Sequence, residues 1–226
     1  MQALRKEFLL LDKIEGPLII LSNVPDAAYD EIVDIVMEDG RVRKTGRVVQ
    51  LHGDKVVIQV FGSTSGLSVD NARVRFTGSP LEIPLSKDIL GRVFNGIGRP
   101  IDGGGDIYSE EKYDINGKPI NPVSRLYPRD YIQTGISSID CLTTLIRGQK
   151  LPIFSGNGLP HNQLAAQVVR QATISSDDSH EFAVVFAAMG IKHDDADFFR
   201  KSFEQSGVLE RVVMFLNLAD DPIVER

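Results

Sequence analysis

The stretch of this sequence that could do chemistry is Ser155-Gly156-Asn157-Gly158-Leu159-Pro160-His161-Asn162. It follows the apolar run Leu151 to Phe154 and leads into a segment with Leu164, Val168, Val169 and Ala172 on one helical face. Strand, glycine-containing loop and helix together form the setting in which backbone N–H groups cradle a phosphate. A working loop of that kind reads Gly-x-x-x-x-Gly-Lys-Ser/Thr, the Lys reaching the terminal phosphates and the hydroxyl ligating Mg²⁺. Laid on this chain, the second Gly falls on Pro160, the Lys on His161 and the Ser/Thr on Asn162. Proline has no N–H and fixes φ. Histidine is shorter than lysine and mostly neutral at pH 7. Asparagine brings an amide where a hydroxyl is wanted, although it caps helices well. The loop therefore has the shape of an ATP site without its chemistry, and weak or no nucleotide binding is expected. An ordinary strand-to-helix connection, rich in Gly and Asn for turn reasons, is the other reading of the same residues.

Composition narrows the remaining choices. A chain of 226 residues with 42% hydrophobic and 25% charged residues belongs with globular domains, one large or two small. A net charge of −6 and the absence of basic clustering argue against a nucleic-acid surface. Arg41, Arg43, Lys44 and Arg47 alternate with turn residues and read as solvated hairpin faces. The sequence holds no apolar run long enough to span a membrane and no apolar signal core near Met1, so a cytoplasmic protein is expected, without direct membrane insertion. Cys141 is the single cysteine and reads as a small buried side chain on a helix. His52, His161, His180 and His193 are scattered and give no metal-ligand spacing, so no metal site is expected.

The elements that must position the loop are legible in outline. From Glu7 to about Thr77, six short strand-like runs (7–11, 17–21, 31–37, 43–51, 55–61 and 72–76) are separated by turn residues such as Gly16, Asp39-Gly40 and Gly53-Asp54. So many short strands favour a small closed β-barrel, since closure removes exposed edges. That barrel is assigned residues 1–78. Residues 79–130 read as linker, with Pro80 and Pro84 in an extended connector and a short helical turn near Ser86 to Leu90. Gly91 to Gly105 is glycine-rich, but prolines and glycines follow where a helix would start, so it reads as a structural turn.

Residues 131–226 read as the first part of a parallel α/β domain of phosphate-loop type. A helix capped by Ser137 or Ser138 carries Ile139, Leu142, Leu145 and Ile146 and closes at Gly148. Strands at 150–154, 182–188 and 212–218 alternate with helices at 162–173 and 195–206. Their unbroken apolar runs predict a sheet covered on both faces. Pro222 starts barely one turn of helix before Arg226. Three parallel strands would leave an edge unpaired, so the chain is expected to be part of something longer.

Four segments carry a family resemblance: Leu90 to Asp102, Tyr131 to Asp140, Arg147 to Gly156 and Gly158 to Asn162. They resemble the B subunit (beta chain) of V-type and archaeal-type rotary ATPases, over essentially the whole chain. The resemblance implies an N-terminal β-barrel and a RecA-like nucleotide-binding domain, continued beyond Arg226 by the rest of that domain and a helical domain. It implies a non-catalytic, regulatory subunit that alternates with catalytic A subunits in a hexameric ring around a central rotor shaft, with peripheral stalk subunits as further partners. Such a complex couples ATP synthesis or hydrolysis to proton or sodium transport, and sits on the cytoplasmic face of a membrane through its partners.

Catalytic relatives carry Gly-Glu-Arg after the next strand, whereas here Gly190 is followed by Ile191-Lys192. Isoleucine cannot act as a general base. The arginine that such a subunit offers its neighbour in trans is expected outside this chain. No catalytic residue is therefore assigned, and no cofactor is expected to bind tightly, ATP or ADP being expected only at the interface with a catalytic subunit. Two other readings are carried: an active P-loop NTPase with a variant loop, and a barrel adaptor or nucleic-acid-binding module, which the acidic charge disfavours.

Overall fold

The computed structural model describes residues 7–8, 11–37, 42–174 and 182–226. Leu9, Leu10, Asp39, Gly40, Arg41 and His180 lie outside the described residues, as do Met1 to Lys6. Seven strands come first: β1 (Glu7–Phe8), β2 (Lys13–Glu15), β3 (Leu18–Leu21), β4 (Ile32–Met37), β5 (Val42–His52), β6 (Lys55–Phe61) and β7 (Ala72–Phe76). They form one antiparallel sheet in the order β1-β7-β4-β5-β6-β3-β2. Lys55 to Phe61, legible as a strand from its β-branched residues, alternates in burial: Val56, Ile58 and Val60 are fully buried and the residues between them are not.

Turn chemistry fixes the registers of this sheet. Gly16, at φ +54°, opens the two-residue connection that pairs Glu15 with Leu18, and Gly53, at φ +61°, does the same between His52 and Lys55. The inward faces of β3 to β7 share one core around Ile19, Ile35, Val48, Ile58 and Val74. β1 and β2 stand at the two ends of the sheet order. No ladder joins them among the described residues, so closure of the barrel remains an expectation of the sequence. β2 is not legible in the sequence because Lys13-Ile14-Glu15 has one apolar residue, too short a run to show a period. Lys44 differs from the solvated role expected of it: its ammonium donates to the carbonyls of Ser63 and Ser65.

The chain continues through β8 (Glu82–Pro84), a 3₁₀ turn at Lys87–Ile89, β9 (Val93–Phe94) and β10 (Lys112–Asp114), which pairs antiparallel with β8. Two compact units result. One contains the chain up to Ser86, with Tyr108–Gly117 and Asp220–Arg226; the other contains Lys87–Ile107 and Lys118–Ala219.

In the second unit, β11 (Tyr131–Gln133) lies between β12 (Leu145–Ile146) and β13 (Thr173–Ile174), and α1 (Ser137–Leu142) precedes β12. A separate parallel sheet has the order β14-β15-β9, with β14 at Val184–Ile191 and β15 at Val212–Leu218. Helices α2 (His161–Gln171) and α3 (His193–Gln205) complete the unit. Phe199 and Phe203, four apart on one face of α3, both meet Phe186 of β14, at ring-centroid distances of 4.7 and 5.3 Å. That aromatic cluster, with Ala166 of α2 and Met214 of β15, is the core that holds both helices against the sheet.

Several sequence expectations are corrected here. No strand forms at 150–154. A strand needs a paired neighbour for its ladder, and these residues have none among those described; Phe154 is 93% exposed. The parallel sheet takes as its third member Val93-Phe94, from within the stretch expected to be purely a turn. The expected α1 is cut short at Leu142, and Leu145-Ile146 pair with Tyr131-Ile132 instead. Two β-branched threonines, Thr143 and Thr144, stand at that break. Neither serine caps α1: Ile136 is the N-cap. Asp140 instead reaches back to accept from the Thr134 N–H, the Thr134 hydroxyl and the Gly135 N–H. Those donors, the Thr134 N–H first, hold its carboxyl below the usual range.

Cys141 is exposed rather than buried, because the short helix turns it away from Ile139, α1's buried position. The parallel sheet is not covered on both faces either: Val185 and Met189 of β14 are 67% and 68% exposed, while β15 is buried along most of its length.

Candidate functional site

Residues Ser155 to Pro160 form an exposed irregular loop, with a turn at Asn157-Gly158 and Gly158 at φ +83°. The Leu159 N–H points back at the Gly156 carbonyl at 3.4 Å. At Pro160 the backbone adopts φ −80° and ψ 51°, and the His161 N–H donates to the Leu159 carbonyl at 2.8 Å. Donation across a single central residue at these angles is an inverse γ-turn. Pro160 thus removes one cradle donor by having no N–H, and its turn consumes the next. The Pro160 carbonyl then accepts from the Leu164 N–H at 3.1 Å and starts α2.

His161 is the first residue of α2 and Asn162 the second. No side chain caps this helix, and its first turn carries no acid. The Asn162 side-chain amide donates instead to Asp195 Oδ1 at 2.8 Å, in the first turn of α3. That one bond ties the starts of the two helices together, so the loop is brought to the junction where β14 passes into α3. Of the positions singled out from the sequence, the structure connects 155–162 with this junction. His52 ends β5, away from this junction, whereas His193 is the first residue of α3 and stands at it; no group of metal-ligating side chains occurs among the described residues.

The junction itself carries the second diagnostic position. Gly190 sits at φ +68° within β14, where the pairing with β15 slips between Met189 and Ile191. A residue without Cβ suits that backbone. Beyond the slip, the Ile191 carbonyl accepts from the Ala219 N–H at 2.8 Å, and its side chain packs against the core around Phe199 and Met214. Where a general base would be wanted, this chain has a packing residue.

Asp195 is not among the residues the sequence points to. It pairs with a residue 33 positions earlier, and only the packing of α2 on α3 brings the two together. The available signal is Asp194-Asp195 after Lys192, which reads simply as acids in a helical first turn.

Gly91 to Gly105 is organised differently. Arg92 donates through Nε and Nη2 to the two oxygens of Asp102, at 2.5 and 2.9 Å, and through Nη2 to the Gly105 carbonyl. Asp102 also accepts from the N–H groups of Val93 and Gly104. Arg92 first, and then these N–H donors, hold the Asp102 carboxyl far below the usual range. Asn95 Oδ1 accepts from the N–H groups of Ile97 and Arg99 and closes the turn within the stretch. Its charged pair and the Asn95 acceptor are engaged within the stretch itself. Asp102 also borders a cavity of about 150 Å³, with Ile101, Leu216 and Leu218 from one side and His193, Asp197 and Arg200 of α3 from the other.

Comparison with known proteins agrees with both halves of this architecture. Residues 13–78 match the beta-barrel domain of the ATP synthase alpha/beta family, and residues 135–226 match the nucleotide-binding domain of the same family. The chain is 69% identical over 224 residues to a V-type ATP synthase beta chain 2 of Clostridium tetani, covering 99% of this chain and 48% of that protein. It is 63% identical over 223 residues to a V-type ATP synthase beta chain of Halothermothrix orenii, covering 99% and 48%. With the B subunit of an A-type ATP synthase from Methanopyrus kandleri the identity is 55% over 221 residues, covering 98% of this chain and 22% of that protein. The chain thus spans about half the length of the first two relatives. By the two domain matches and these identities, the chain belongs to the ATP synthase alpha/beta family, among the beta/B chains of the V and A types.

Proposed function

We propose that this chain acts as the non-catalytic B subunit of a V/A-type rotary ATP synthase. In that role it alternates with catalytic A subunits in a soluble hexameric ring and helps couple ATP synthesis or hydrolysis to proton or sodium transport. Its relatives carry the names of V-type beta chains and of an A-type B subunit, which supports the placement. No helix among the described residues is long and apolar enough to cross a membrane, which fits association with a membrane through partner subunits.

The observation that carries the non-catalytic reading is the start of α2, where the Pro160 turn directs the His161 N–H onto Leu159. Mg-nucleotide does not fit this arrangement. The lysine is replaced by His161, the Mg²⁺ hydroxyl by an asparagine bonded to Asp195, and the general base by a core isoleucine. Contribution to catalysis is therefore assigned to the interface with the catalytic partner and not to a phosphate site of this chain.

Reconstitution tests the assignment. A ring assembled from the full-length chain and its A subunits should hydrolyse Mg-ATP, lose that activity when the phosphate-loop lysine of the catalytic partner is replaced, and keep it when His161→Ala is introduced here. Hydrolysis that disappears with His161→Ala, or turnover by this chain without its catalytic partners, would favour the active P-loop NTPase reading.

A further inference from the structure

We infer that Asn157 is a site of spontaneous covalent modification, deamidating through the Gly158 nitrogen faster than the other two Asn-Gly pairs of this chain. The inference goes beyond the functional reading above and does not depend on whether the loop holds a nucleotide.

The chain contains three Asn-Gly pairs, at 95–96, 116–117 and 157–158. Such a pair can close a ring, because glycine carries no side chain to shield its nitrogen. The glycine nitrogen bonds to the asparagine Cγ, the Cγ–Nδ2 bond breaks, and the amide nitrogen leaves as ammonia with the proton that the glycine gave up. Water then opens the cyclic imide at either of its carbonyls and leaves aspartate or isoaspartate. The balance is water consumed and ammonia released, with no oxidant or reductant. What the fold controls is whether the nitrogen and the amide are free to meet.

At two of the pairs they are held. Asn95 is half-buried, and its Oδ1 accepts from the N–H groups of Ile97 and Arg99 at 3.3 and 2.8 Å. The Asn116 side-chain amide donates to Asp114 Oδ1 at 3.0 Å, and the Gly117 N–H donates to the Asp114 carbonyl at 2.9 Å, so both reacting groups are engaged. Asn157 and Gly158 are exposed, and among the described residues neither the Asn157 side chain nor the Gly158 N–H has a hydrogen-bond partner. Nothing stands within 4 Å of the Cβ position of Gly158, and the turn around it is closed only by the Leu159 N–H at 3.4 Å from the Gly156 carbonyl. Either product puts a carboxylate into Ser155 to Pro160, which has no charged side chain of its own. Isoaspartate also runs the backbone through Cγ and so lengthens the loop by a carbon just ahead of α2.

The test holds the full-length chain in mildly alkaline buffer, native and in urea, and follows the three Asn-Gly peptides by mass spectrometry, with isoaspartate counted by enzymatic methylation of its carboxylate. A hydrogen bond that must open first is worth about a factor of ten in rate. In the native chain Asn157 should therefore deamidate about tenfold faster than Asn95 and Asn116, and in urea the three rates should converge. Native rates at Asn157 no higher than at Asn95 or Asn116 would overturn the inference. So would an advantage of Asn157 that persists unchanged in urea, which would assign it to the neighbouring residues and not to the freedom of the loop.

Discussion

Two glycine-rich stretches of the α/β unit, Gly91 to Gly105 and Ser155 to Asn162, look alike as strings of residues and behave differently. The first closes on itself: Arg92 clasps Asp102, and Asn95 holds the N–H groups of Ile97 and Arg99. The second is exposed and has no internal side-chain clasp among its described contacts, its one side-chain bond running out to Asp195. Glycine content therefore says only that the backbone turns sharply. What separates a strut from a phosphate cradle is where the N–H groups and the charged side chains are directed, and in the second stretch the Pro160 turn commits the His161 N–H to the Leu159 carbonyl.

The largest effect expected from this contrast is on stability at the clasp. Asp102→Ala removes both bonds from Arg92 and the acceptor for the Val93 and Gly104 N–H groups, and should cost about 2 kcal/mol in urea unfolding. The pH dependence has a definite sign. Because the folded carboxyl titrates below its unfolded value, its stabilisation is complete above the unfolded pKa, about pH 4, and fades as pH falls towards the folded one. The stability gap between wild type and Asp102→Ala should accordingly hold constant near neutrality and narrow below about pH 4. A gap that widened in acid would contradict the clasp.

A smaller pair of effects distinguishes the two loops directly. A Cβ on Gly104 would run into Arg92 Nη2 and stand 2.7 Å from its Cζ, so Gly104→Ala must push the clamped guanidinium aside, at about 1–2 kcal/mol. Gly158 has open space around its Cβ position, and its cost comes from φ +83° alone, about 1 kcal/mol. Adding Arg92→Ala should therefore relieve the Gly104 penalty and leave the Gly158 penalty unchanged in a double-mutant cycle. The smallest expected effect is chemical: His161→Lys should give no ATP turnover above wild type, since Pro160, Asn162 and Ile191 are unchanged. Measurable turnover in that variant would place the site wrongly.

The sequence is most legible where one period and one face decide the outcome. Lys55 to Phe61 is rich in β-branched residues and alternates in burial, and α3 is readable from its phenylalanines. It is least legible where a segment is held by neighbours. Val93-Phe94 is too short to show a period and becomes a strand only beside Met214 and Phe215. Leu151 to Phe154 has strand-like residues but no ladder among the described pairings. In the candidate site, Pro160, His161 and Asn162 are legible as substitutions in a pattern. The γ-turn that spends the His161 N–H and the bond from Asn162 to Asp195 are not, because the first is a backbone angle and the second depends on how two helices pack.

Calorimetric titration of Mg-ATP into the purified chain, against a protein with an intact phosphate loop as control, tests the central claim most directly. The account predicts no binding heat up to millimolar nucleotide, as expected if the loop of this chain is a connector and interface element. Micromolar, Mg²⁺-dependent binding would contradict it, because it would mean that a phosphate is held despite the Pro160 turn and the absence of a lysine at His161.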